Sequence, residues 1–222
     1  MTGSLSRRRL TGFLGALLVL TLCACWASPS QAVIARTLKL TRDDIADLVR
    51  IEKSLNSIKT MQARFLQVTS TGEYSEGQIY LNRPGRMRIE YDPPVLVTVV
   101  ADGANLIYID KEMDQTTAVL LSLTPAELIL RDNLSLTSDE ILVTGFMRSP
   151  GIIRVSLVKA DDPLEGQLTL IFSDAPLELR KWAVTDAQGV KTTVSLLGPR
   201  FGIKLDGALF EHHMPHPAQT EN

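Results

Sequence analysis

"LNRPGRMRIEYDPP", residues 81–94, decides the fold class. Met87, Ile89 and Tyr91 alternate with Arg86, Arg88 and Glu90, so a strand over this stretch has one apolar face and one polar face. It is entered through Arg83-Pro84-Gly85, a tight turn carrying a cation, and left through Pro93-Pro94, which cannot continue a sheet ladder. The apolar face needs a cover, and the arginine at the mouth of the strand needs acceptors.

Working outward, the same pattern recurs on both sides. Strand candidates run through "RFLQVT", "GQIYLN", "RMRIEY", "LVTVVA", "NLIYID" and "TTAVLL", then "ILVTGF", "IIRVSLV", "QLTLIF", "ELRKWAV" and "VKTTVSLL". Asp102-Gly103, Ser149-Pro150-Gly151, Glu165-Gly166 and the stretch 186–189 supply turn chemistry between neighbours. Many short strands joined by tight turns predict a mainly β, antiparallel domain, either a sandwich or a barrel. No internal repeat or low-complexity linker suggests a second domain.

Two segments break the strand period. Thr41 and Asp44 have capping-box spacing, with Asp43 and Asp44 at the positive end of a helix dipole. Leu48, Ile51, Leu55 and Ile58 then recur at three- and four-residue steps, which gives an N-terminal helix an apolar stripe that must lie on something. "TPAELILR", residues 124–131, places Thr124 at an N-cap, Pro125 at the first helical position and Glu127 three residues after the cap. The helix it opens is very short and apolar on nearly all sides at Leu128, Ile129 and Leu130, so it must press on the β structure as a plug or a lid. "LIYID" and "TLIF" are apolar at consecutive positions, so either both faces are sheltered or one lines an interior cavity. With aromatic residues at only 5%, such a cavity is mainly aliphatic, a lining that suits hydrocarbon and not a polar ligand.

The N-terminus belongs to sorting. Arg7, Arg8 and Arg9 precede an apolar run from Phe13 to Leu22, and "SPSQA" offers small residues at Ser30 and Ala32. This divides the chain into a cleaved secretory leader over residues 1–32 and a single domain over residues 33–222. "SRRRL" resembles a twin-arginine export signal as well as an ordinary charged leader, and either route ends across the inner membrane. "LCAC" loosely resembles a lipobox ending at Cys25, which would make the mature chain lipid-anchored. With ordinary cleavage after Ala32, both cysteines leave with the leader, and disulfides, thiolate metal sites and a cysteine nucleophile go with them.

Charge and motifs exclude further classes. The chain carries a formal charge of -2, and loss of the leader's three arginines leaves 20 basic against 25 acidic residues, or -5. No basic stripe remains for a nucleic acid. There is no nucleophile elbow, zinc-binding HExxH or phosphate-cradling glycine loop. The acidic pairs Asp43/Asp44 and Asp161/Asp162 stand at a helix start and a turn, and His212, His213 and His216 lie in a proline-bearing tail, a poor metal set. No cofactor and no enzymatic activity is expected.

"MQARFLQ", "EGQIYLNRPGRMRIEYDPP", "ADGANLIYIDKEMDQ" and the "TP" helix occur in an order and spacing that resemble the outer-membrane lipoprotein carrier family, LolA. "LDGALFEHHMP" resembles that family's closing strand. The resemblance spans about residues 45–215, and "RPGRMRIEY" is its most specific block. It implies an incomplete antiparallel β-barrel of about eleven strands with an N-terminal helix and a short lid helix over an apolar cavity. It also implies a periplasmic monomer that takes lipoproteins by their acyl chains from an inner-membrane ABC transporter to the outer membrane, with or without an acceptor there. An anchored receptor, or a sensor of mislocalised lipoproteins, on the same fold is the alternative, and Cys25 discriminates. Arg83 matches the family's arginine that hydrogen-bonds lid backbone as a latch. Phe65, Met87, Ile89, Tyr91, Leu128 and Ile129 are the expected acyl-chain contacts, while Arg86, Arg88 and Glu90 are expected in water. Ile89 stands where many relatives carry tryptophan.

Overall fold

A computed structural model describes residues 38–212. The leader read over residues 1–32, with Cys23 and Cys25, and the histidines His213 and His216 lie outside the described residues. Eleven strands follow one helix: α1 (Arg42–Ser57), β1 (Thr60–Thr69), β2 (Tyr74–Asn82), β3 (Arg86–Tyr91), β4 (Val97–Asp102), β5 (Asn105–Asp110) and β6 (Gln115–Leu120). A 3-10 turn (Leu121–Leu123) and α2 (Ala126–Leu130) intervene before β7 (Ile141–Ser149), β8 (Ile152–Lys159), β9 (Gly166–Ser173), β10 (Glu178–Asp186) and β11 (Lys191–Phe201). A last 3-10 turn spans Gly207–Phe210.

All eleven strands form one antiparallel sheet in the order β6-β5-β4-β3-β2-β1-β11-β10-β9-β8-β7. Neighbouring strands are consecutive in sequence everywhere except at the centre, where β1 pairs with β11. The sheet is open. β6 and β7 are its two edges, so the barrel is not closed by hydrogen bonds, and residues 121–140 run from one edge to the other. The lid segment is therefore the covalent strap across the gap.

Local chemistry explains α1. The Thr41 hydroxyl accepts from the Asp44 amide at 3.2 Å and the Asp44 carboxylate accepts from the Thr41 amide at 2.8 Å, which completes the capping box. Those bonds hold the Asp44 carboxyl below its ordinary value. The stabilisation they give is present above the usual aspartate range and lost as pH falls through the lowered value. Thr41→Ala is expected to lower the melting temperature by about 2–4 °C, as loss of an N-cap does in a domain of this size, measurable by circular dichroism. The stripe Leu48, Ile51, Leu55 and Ile58 is buried on the sheet. At the solvent side of the stripe the buried Asp47 is met by the guanidinium groups of Arg50 and Arg148, which ties α1 to β7.

Two local expectations are corrected. Thr124 does not cap α2: its hydroxyl donates back to the Leu121 carbonyl at 2.9 Å, and Pro125 is the residue that precedes the helix. The preceding 3-10 turn competes for the same side chain. "LDGALFEHHMP" is not a closing strand either. The strand that closes onto β1 is β11, which runs on through Pro199, Arg200 and Phe201, and the later segment forms the turn Gly207–Phe210.

That turn has a second effect. It lies against β3 and β4 on the sheet's outward face, where Phe210 is buried and Val100 and Ile107 are fully covered. Arg88 donates to the Leu209 carbonyl at 3.2 Å and pairs with Glu90 at 2.7 Å. The polar side of β3 is thus partly roofed by the chain's own C-terminal segment. Arg86 is exposed as expected, but Arg88 and Glu90 are only half in water.

Candidate functional site: an apolar interior beneath a short helix

Register determines which side chains look inward. Met61–Leu81–Met87–Ala101, Ala63–Ile79–Ile89–Val99 and Phe65–Gly77–Tyr91 are directly opposed rows across β1 to β4, and all belong to the concave face. From the other half of the sheet Ile153, Val155, Leu157, Leu168, Leu170 and Phe172 face the same interior. Five of the expected contacts, Phe65, Met87, Ile89, Tyr91 and Leu128, are brought together here, and Ile129 packs half-buried at the margin.

Phe65 and Tyr91 meet edge to face, ring centroids 5.3 Å apart with planes at 88°, across Gly77. The Tyr91 hydroxyl donates to Gln67 Oε1 at 2.8 Å. Burial pushes the phenol up, and the Gln67 bond partly offsets it. One polar handle is thus satisfied within an otherwise apolar wall.

The hollow expected from the sequence is occupied in this conformation by the protein's own side chains. Leu48, Ile51 and Leu55 of α1, Leu128 and Leu130 of α2, and Leu134 and Leu136 after it are all buried in one cluster with the concave wall. Entry of any ligand requires some of them to move. α2 is the smallest piece, five residues long, and holds its place by those leucines and a few polar contacts.

The cover stops short of one edge. Val99 opposes Tyr108, which opposes Thr117, and Leu106 opposes Val119, so the concave rows continue across β5 and β6. Toward that edge exposure rises: Val97 and Val99 are half-buried, while Tyr108 is 46% and Val119 47% exposed. A continuous apolar surface therefore leads from open solvent to the buried interior. The sequence held the signal in "LIYID", whose place on the wall follows from the pairing of Tyr108 with Val99 and of Val99 with Ile89.

Arg83 sits at the junction of both helices. It is buried, at 7% exposure. Nε donates to the Arg131 carbonyl at 2.7 Å, Nη2 donates to that same oxygen, and Nη1 donates to the Leu55 carbonyl at 2.5 Å and the Ile58 carbonyl at 3.4 Å. These carbonyls lie where intrahelical bonding runs out, at the end of α1 and just after α2, and the Leu55 oxygen is shared with the Ile58 amide at 3.1 Å. No carboxylate is among the acceptors. Burial therefore lowers the guanidinium's pKa, with the nearby Asp132 charge opposing that shift.

The turn holding Arg83 adds a backbone bond, Gly85 N to the Leu130 carbonyl at 2.8 Å. Gly85 has φ +73°, and a Cβ there would lie 2.9 Å from the Gly103 Cα, so glycine is required by conformation and space together. Beyond the lid, Asn56 exchanges two 2.9 Å bonds with the Leu134 backbone and Glu52 accepts from the Leu136 amide at 2.9 Å. Lys59 pairs with Asp132 at 2.9 Å and holds that carboxyl below its ordinary value. Residues 132–136 are thus bonded to α1 and to Lys59 just beyond it. No sequence signal pointed to Asn56 or Glu52.

Among the described residues no group of three His, Cys, Asp or Glu side chains is placed to hold a metal ion, and no helix is long and apolar enough to cross a membrane. His212, the one tail histidine within them, lines a surface groove with Arg86, Asp102 and Glu211.

The chain is 29% identical over 200 residues to an outer-membrane lipoprotein carrier protein of Methylococcus capsulatus, covering 86% of this chain and 89% of that protein. A protein of the same name from Azotobacter vinelandii is 27% identical over 194 residues, covering 83% and 92%. A crystal structure of a LolA superfamily protein from Nitrosomonas europaea aligns at TM-score 0.44 with 12% identity, covering 74% of this chain and 97% of that one. The family model described as "Outer membrane lipoprotein carrier protein LolA" matches residues 56–213, from the end of α1 to beyond the last 3-10 turn, and the chain therefore belongs to the LolA family.

Proposed function

We propose that this protein is a periplasmic carrier that holds the acyl chains of lipoproteins against its concave face and moves them from an inner-membrane ABC transporter to the outer membrane. The observation that carries the reading is the apolar surface that runs from the exposed wing at Tyr108 and Val119 through half-buried Val99 to the covered interior at Phe65, Met87 and Ile89. The names of the curated relatives support the cargo class. The family is one of carriers and not of enzymes. A leader over residues 1–32 would deliver the chain to the periplasm, where it acts as a monomer.

The physics makes a carrier necessary. Each buried methylene is worth about 0.8 kcal/mol, so a set of acyl chains does not cross water unaided. In the loaded state the acyl chains take the place of Leu128, Ile129 and Leu130, whose withdrawal leaves the wall of Phe65, Met87, Ile89 and Tyr91 to receive them. Apolar contact is exchanged for apolar contact, so loading and release need no large energy source. Arg83 acts as the latch, favouring the closed, empty state by occupying carbonyls at both helix ends.

Purified mature protein should take a diacylated lipoprotein from detergent-free proteoliposomes into a soluble complex and leave its unacylated form behind. Tyr108→Asp places a charge on the exposed part of the wall without touching the buried core. It is expected to weaken lipopeptide binding about tenfold or more with an unchanged melting temperature. Equal uptake of acylated and unacylated cargo would remove the carrier reading.

A further inference from the structure

The lid segment leaves β6 at Leu121 and reaches α2 at Ala126, and Arg83 holds only its far end. At the near end stands Lys159, the last residue of β8. Its Nζ donates to the Ser122 carbonyl at 2.5 Å and pairs with Glu165 Oε2 at 3.0 Å. Both side chains are largely covered, at 13% and 14% exposure. The next residue, Gly166, packs on the lid as well: a Cβ there would lie 3.0 Å from Pro125 Cγ.

We infer that Lys159 is a second anchor of the lid, holding its start through Ser122 as Arg83 holds its end, and that Glu165 keeps the ammonium in place. This rests on the carrier reading above for its purpose, since a cover matters only if something passes beneath it.

Three physical points carry it. An ammonium this covered needs a counter-charge, and Glu165 supplies it from the turn between β8 and β9. One donor is aimed at lid backbone, the Ser122 carbonyl, and a charge-assisted bond of this kind is stronger than a neutral one. Finally, the groove beside Lys159 is lined by Asp139, Asp161 and a Glu140 already paired with Arg131, and the two aspartates would attract the ammonium away from Ser122 if Glu165 lost its charge. The two anchors differ in kind. Arg83 is deeply buried on neutral carbonyls, whereas Lys159 is part of an ion pair near the surface.

Hydrogen exchange read by mass spectrometry on the mature chain tests this without any lipid. In Lys159→Met, exchange in peptides covering residues 121–131 should rise roughly ten- to a hundredfold, the equivalent of one charged hydrogen bond. Peptides from β8, β9 and β1 should keep wild-type protection, and affinity for the apolar dye N-phenylnaphthylamine should increase. Glu165→Gln should shift the same lid peptides in the same direction, and serves alone if Lys159→Met does not fold. Wild-type lid protection in either folded variant overturns the inference. So does an equal loss of protection across β8 and β9, which marks a strut for that turn and not a lid anchor. A lid loosened by Lys159→Met in a protein that takes up no acylated cargo leaves the anchor standing and removes the carrier reading.

Discussion

Arg83→Leu should hold acylated cargo more tightly than the wild-type protein and release it more slowly. In the proposed latch role Arg83 contributes only to the closed, empty state, so its removal would raise that state relative to the loaded one. The Ile58 and Arg131 carbonyls lose their donor, while the Leu55 carbonyl loses one of two and keeps the Ile58 amide at 3.1 Å. Each stranded acceptor costs about 1–3 kcal/mol while it stays buried, and opening of the lid lets water relieve part of this. If about 3 kcal/mol remains, the dissociation constant falls by roughly a hundredfold. The check is the dissociation rate of a fluorescent diacyl lipopeptide beside a melting curve. A folded Arg83→Leu protein that releases it at the wild-type rate ends the latch assignment.

The second large effect is on the wall. A Cβ on Gly77 would stand 2.0 Å from the Glu90 carbonyl oxygen and 2.8 Å from Phe65 Cε1. The first is backbone in the neighbouring strand, and the second belongs to a ring fixed at its other side by Tyr91. Neither can yield without parting β2 from β3 or breaking the edge-to-face pair. Gly77→Ala should therefore destabilise by about 2–3 kcal/mol and lower the melting temperature by about 4–12 °C. Acyl binding should fall with it, since the displaced ring lines the interior. A melting temperature within a degree of wild type would mean that the wall is looser than its packing indicates.

The two predictions differ in how far the sequence anticipates them. Arg83 stands in a turn whose chemistry is plain from "RPG", and the resemblance supplied a lid as its target. That it also grips Leu55 and Ile58, making it a joint between both helices, follows only from the folded structure. Gly77 was only a residue within a strand pattern. Its indispensability comes from having Phe65 on one side and Tyr91 on the other in register, which a linear reading does not align.

Other differences have the same origin. The apolar run in "LIYID" called for shelter on both faces or a cavity on one, and the structure gives it and the neighbouring β4 a separate cover on each side. Val99 and Tyr108 face the concave interior, while Val100 and Ile107 lie under the outward side near the turn Gly207–Phe210. Thr124 carried a strong cap signal but bonds to Leu121, because two turns in succession compete for one hydroxyl. The expected hollow is a filled interior, since an apolar space in water is most stable when the chain's own leucines occupy it.

The amino-acid sequence alone determined the eleven strands, the capped and striped α1 and the short apolar α2, because alternation, caps and turn residues act over a few neighbours. The tertiary structure decided the open edge between β6 and β7, the outward roof over β3 and β4, and the partners of Arg83 and Lys159. Arg83 is 48 residues from Arg131 and Lys159 is 37 from Ser122. Contacts at such separations are set by how the whole sheet curves, and no local period records that curvature.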